Sequence, residues 1–159
     1  MLKLYVERMI RERGTIMGLV KAENVVDGQY SEQVKVCGSV EREADCLTAG
    51  KYRVCIGKCI YHHRKMPFLV PVDSSQCELC CKARHSHEFG DISAFASLPC
   101  AMIQPGNGPF TMGRGSILVG EVHAPGYVLK SHPLFTTLYE RIKKAVWRGN
   151  EVTLEIKEM

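Results

Sequence analysis

The chain has 159 residues, 45% of them hydrophobic and 24% charged, with a formal net charge of +4. That length suits one domain with a real core and is short for two, and the composition excludes disordered and fibrous classes. No stretch approaches the roughly 20 apolar residues needed to cross a bilayer, and "MLKLYVERMIRERG" is broken by charge too often to hold a signal-peptide core. No membrane partner is therefore expected. The expected setting is a cytosol, either bacterial or that of an infected cell, where the 8 cysteines would be thiols or metal ligands rather than disulfides.

In chain order, "LKLYVER" alternates, with Leu2, Leu4 and Val6 on one face and Lys3, Tyr5 and Glu7 on the other. This predicts a half-buried strand. Gly14 closes it, and "TIMGLVKAE" reads as its hairpin partner. Asn24 to Gln33 reads as a loop around Asp27-Gly28, and a short strand follows over Val34 to Val40. "KYRVCIGKCI" gives another strand after a turn at Ala49-Gly50, with Tyr52, Val54, Ile56 and Ile60 of one parity and Arg53, Cys55 and Cys59 of the other. The basic cluster His62, His63, Arg64 and Lys65 reads as a solvated strand end. It lacks interleaved aromatics and a nucleic-acid motif, so nucleic acid is not an expected partner.

The C-terminal region is the most legible. In "HPLFTTLYERIKKAVWRGN", Leu134, Leu138, Ile142 and Ala145 or Val146 form one stripe at helical spacing. Pro133 suits a first turn and Gly149 a C-terminal cap, predicting a helix over about Pro133–Arg148. Glu140 and Lys144 stand four apart in the favourable order. "EVTLEIK" then alternates, with Val152, Leu154 and Ile156 inward. Short hairpin-like strands with one late helix predict an α+β fold. Its expected form is a mostly antiparallel, curved or barrel-like sheet carrying one main C-terminal helix, with residues 1–159 as a single domain.

The order of "TAGKYRV", "YHHRKMPFLVP", "IQPGN", "GSILVG" and the closing helix and strand resembles domain-of-unknown-function family 5675 of bacteria and their phages. Its members read like "IPAGTYRV", "R-MP-LLNVPGF", "IHPGN" and "GCILVG". The resemblance covers most of the chain and is weakest over residues 23–47. It implies a small phage-associated or mobile-element-associated domain, with virion association among its settings. In the family pattern, a histidine before PGN and a cysteine after glycine look like the reactive pair of the L,D-transpeptidase type, where imidazole activates a thiol. Here those positions hold Gln104 and Ser116. Gln104 cannot take a proton at neutral pH, and a serine hydroxyl needs a nearby base. His123 and His132 are the candidates for that role. The plainer reading is architectural: Pro105, Gly106, Asn107, Gly108, Gly113 and Gly115 shape a loop. Gln104 and Ser116 hydrogen-bond each other or the backbone, and Ile117, Leu118 and Val119 form a buried strand.

Against the resemblance, residues 72–100 are a Cys/His-rich insertion. Cys77 and Cys80 have the spacing that lets two thiolates share a zinc ion, His85 and His87 could complete the set, and Cys81 or Asp91 could substitute. The competing readings are a polar loop with incidental thiols, or a disulfide such as Cys77–Cys100 in oxidising surroundings. Cys37, Cys46, Cys55 and Cys59 read as small packed apolar groups. Trp147 lies toward the polar side of the helix, as an edge of the core or part of a partner surface. The expectation is a domain acting by binding or assembly, on an unidentified protein or cell-wall fragment, with a degenerate His/Cys-type site. The alternatives are a peptidoglycan-peptide hydrolase or transpeptidase, and a zinc-stabilised binding module.

Overall fold

The computed structural model describes residues 1–26, 28–59, 63–72, 101–108, 115–124 and 126–159. The described strands are β1 (Leu2–Glu12), β2 (Thr15–Val26), β3 (Gln29–Tyr30), β4 (Val34–Arg42), β5 (Gly50–Cys59), β6 (Arg64–Pro71), β7 (Ile103–Gln104), β8 (Ile117–Ala124), β9 (Tyr127–Leu129) and β10 (Val152–Glu158). Among the described residues one α-helix, α1, spans Ser131–Trp147, and a short 3-10 turn covers Glu43–Asp45. The sheet runs β6-β5-β10-β1-β2-β4-β8-β7, with β3 paired to β2 and β9 to β8. Pairing is antiparallel except for β1 with β10 and β7 with β8. This is the expected α+β architecture: a curled, half-barrel sheet and one C-terminal helix.

The alternation at the two ends of the chain explains the middle of the sheet. Leu2 faces Val152, Leu4 faces Leu154 and Val6 faces Ile156 in a parallel register, so two inward apolar rows coincide. On its other side β10 pairs with β5, Leu154 opposite Tyr52. The core joins these residues to Phe68, Ile103, Ile117, Val119 and the α1 side chains Phe135, Leu138, Tyr139 and Ile142. Each such side chain, fully buried, contributes about 1.5–3 kcal/mol. The helix ends in a Schellman arrangement: the Gly149 amide donates to the Val146 carbonyl and the Asn150 amide to that of Ala145, with Gly149 at φ +76°.

The sheet also buries part of its outer face. Met17, Val40 and Leu118 lie side by side across β2, β4 and β8, and Val128 of β9 covers them. Gly120 permits this cover, because a Cβ there would stand 2.9 Å from the Val128 Cβ. The two ends of the sheet approach one another at residues 101–104. Met102 bridges Phe68 of β6, the Leu69 amide donates to the Ala101 carbonyl, and Ile103 and Gln104 pair with Ile117 and Leu118 of β8.

Several local expectations change. The span Asn24–Gln33 is not simply a loop: β2 continues to Val26, and Val25 and Val26 pair with Tyr30 and Gln29. A two-residue connection lets the hairpin close, and Gly28 supplies φ +76°. The outer face of β1 is not all solvated. Tyr5 and Glu7 are buried because Lys157 lies over the Tyr5 ring at 4.6 Å and Lys21 pairs with Glu7 at 2.8 Å. Cys55 is disulfide-bonded rather than a packed thiol, whereas Cys37, Cys46 and Cys59 are thiols. Glu140 and Lys144 enter no ion pair among the described residues.

Candidate functional site

The loop singled out by the motifs is held at both flanks by backbone hydrogen bonds. Ser116 immediately precedes β8 and is 1% exposed. Its hydroxyl oxygen accepts from the Met102 amide at 3.3 Å, and the Met102 carbonyl accepts from the Ile117 amide at 2.8 Å. Gln104, also 1% exposed, lies on β7 opposite Leu118, and its Nε2 donates to the Pro105 carbonyl at 3.4 Å. The Gly106 amide donates to Ser131 Oγ at 2.9 Å, and that hydroxyl donates to the Val119 carbonyl at 2.6 Å. The Val128 amide donates to the Asn107 carbonyl at 3.2 Å. The first helical residue, β8 and β9 thus grip the PGN segment together.

Gly115 sits at φ +72°, where a β-branched residue is strained. Gly106 is outside the positive-φ set, so what fixes it is its amide bond to Ser131. Gly113 lies outside the described residues, as do Cys77, Cys80, Cys81, His85, His87, Asp91 and Cys100. Among the described residues no group of three or more His, Cys, Asp or Glu is placed to hold a metal ion. No described His, Asp or Glu side chain hydrogen-bonds Ser116. His132 is exposed on the first turn of α1. His123 lies on β8 seven residues beyond Ser116, about 23 Å in extended backbone at roughly 3.3 Å per residue.

A second constellation escaped the sequence reading. Arg8 is 3% exposed and Glu41 1%. Arg8 Nε donates to Glu41 Oε2 at 2.9 Å and Nη2 to Oε1 at 2.8 Å, a bidentate pair. Arg8 also donates to the Leu47 carbonyl and, at 2.8 Å, to Glu158 Oε1. Arg11 donates twice to Glu158, each at 2.8 Å, and lies 3.2 Å from Glu43. Burial alone lowers the Arg8 pKa; hydrogen bonds and charge from Glu41, with Glu158, outweigh it and hold the guanidinium above its ordinary value. The Arg11 and then the Arg8 hydrogen bonds pull the Glu158 carboxyl down to about 2. Burial pushes the Cys46 thiol up against the attraction of Arg8, and pushes Cys37 up to about 11. These thiols are poor nucleophiles at neutral pH. The signal for Arg8 was present: carrying the row Leu2, Leu4, Val6 one step further places it inward.

At the far end of α1, a cavity of about 370 Å³ is lined by Met1, Leu2, Asn24, Arg141, Lys144, Ala145, Arg148 and Asn150. Trp147, on the same helix, is 80% exposed, with Lys143 Nζ 5.1 Å from the ring centroid. Comparison with family models, curated proteins and solved structures finds no match. No described helix is long and apolar enough to cross a membrane.

Proposed function

We propose that this chain is a non-catalytic binding domain, and that the segment Ile103 to Gly120 is scaffold rather than reaction centre. The observation that carries this is the Ser116 hydroxyl, 1% exposed and occupied by the Met102 amide. A nucleophile needs access to its substrate and a base within hydrogen-bond reach. The neighbouring Gln104 cannot serve as that base. The ties from Gly106 to Ser131 and from Asn107 to Val128 support the same reading, because they hold loop shape. Kinship with family 5675, and through it a phage or mobile-element role, belongs to this proposal and rests on the motifs.

The test is treatment with a fluorophosphonate probe, alongside thermal melts of Ser116→Ala and Gly115→Val. We expect no labelling of Ser116. Ser116→Ala should cost on the order of 1 kcal/mol, the worth of one hydrogen bond. Gly115→Val should cost more, about 1–3 kcal/mol from backbone strain. Specific labelling of Ser116, lost in the alanine variant, would overturn the reading in favour of an acyl-transfer enzyme.

A further inference from the structure

We propose that the solvent face of α1 from Arg141 to Arg148 binds single-stranded nucleic acid, with phosphates in the cavity beside Arg141, Lys144 and Arg148 and a base stacked on Trp147. The charge arrangement is the first support. Arg141, Lys143, Lys144 and Arg148 fall within eight residues, and α1 carries a single acid, Glu140. None of the four cations has an ion-pair partner among the described residues. Cations in the last helical turn favour the macrodipole, which accounts for Lys144 and Arg148 individually. It does not account for three unpaired cations lining one concavity of about 370 Å³ that Asn24 and Asn150 also border. A bound polyanion relieves that repulsion.

The second support is Trp147. At 100° per residue, Lys144 lies between Trp147 and the cavity-lining Arg148 and Arg141 around the helix. An indole 80% exposed with Lys143 at 5.1 Å therefore adjoins the cationic cavity. Aromatic platforms beside a positive groove are how single strands are held without sequence readout, bases stacking while phosphates pair. An anionic bilayer fits less well. A helix that enters an interface lays its apolar face into it, and the apolar face of α1, Phe135, Leu138, Tyr139 and Ile142, is turned into the core. The sequence argument against nucleic acid weighed the cluster at 62–65, where no aromatic falls between the basic residues, and the lack of a nucleic-acid motif, whereas Trp147 stands between Lys144 and Arg148. The helix face meets the condition that cluster lacks.

This inference rests on the reading of the chain as a binding domain, yet the two fail separately: the probe on Ser116 tests the loop, and the following titration tests the helix. The chain has 1 tryptophan, so intrinsic fluorescence reports Trp147 alone. Titration of the full chain with labelled oligothymidylate should raise anisotropy and quench that fluorescence. The logarithm of affinity should fall with the logarithm of salt with a slope of about −2, from three cations at roughly 0.7 each. Arg141→Gln with Lys144→Gln and Arg148→Gln should weaken binding more than tenfold, and Trp147→Leu should weaken it more than Trp147→Phe. Circular dichroism melts confirm that each variant is folded. If the triple variant is not, Lys144→Gln, at the centre of the face, carries the comparison and must show a loss. Absence of binding at low salt, binding undiminished in these variants, or capture of phosphatidylglycerol vesicles in place of the oligonucleotide would each overturn the proposal.

Discussion

Arg8 shows how a single charged residue can sit inside an apolar row and remain ionised. It occupies the position after Leu2, Leu4 and Val6 and takes two bonds to Glu41, one to Leu47 and one to Glu158. A buried pair adds little net stability, but breaking one side leaves an uncompensated charge at a cost of about 3–5 kcal/mol. Glu41→Ala should therefore destabilise by about that much, while Arg8→Met combined with Glu41→Leu should recover most of the loss. Urea unfolding of both variants measures the contrast. Glu158 adds a pH dependence. Its folded pKa, about 2, lies below the ordinary 4.5. Its contribution is thus present above pH 4.5 and is lost as pH falls through about 2. The side chain is 44% exposed, so solvent screens the effect. The gap in urea midpoint between the wild type and Glu158→Gln should close over that interval; a gap independent of pH would refute the linkage.

At the scale of elements, α1 divides its two faces sharply. Phe135, Leu138, Tyr139 and Ile142 join the core, while Lys144 and Trp147, with Arg148 at the C-terminal cap, are exposed. Ile142→Ala should cost about 2–5 kcal/mol through lost burial and the cavity left behind. Val146→Ala, at a half-exposed position, should stay within about 0.5 kcal/mol, as surface changes do. Equal losses in thermal or urea melts would mean that the helix does not seat on the sheet as described. The helix also anchors the PGN segment, because Ser131 at its first position binds both the Gly106 amide and the Val119 carbonyl. Ser131, which lies outside the helix predicted over about Pro133–Arg148, thus acts as a clasp between loop and strand. Strand β9 is a second cover, its Val128 laid over Met17, Val40 and Leu118. The sequence did not mark it, since Leu118 shares a continuous apolar run with Ile117 and Val119 and no alternation separates its faces.

In the whole molecule, the first and last strands lie side by side at the centre of the sheet, and residues 101–104 span its approaching ends. The sequence by itself determined the strands with strict alternation, the helix with its Gly149 stop, and the return from helix to strand, because periodicity and capping are local properties. It also marked the PGN loop through its glycine and proline content. Only the tertiary structure decided that β10 runs parallel to β1, that Glu41 meets Arg8 from 33 residues away, and that the Ser116 hydroxyl is buried and accepts from the Met102 amide. It likewise turned Arg141, Lys144 and Arg148 toward Asn24 and one shared cavity. Each of these depends on which distant segments the curl of the sheet brings together. Side-chain alternation records inward and outward, but carries no label for the partner strand.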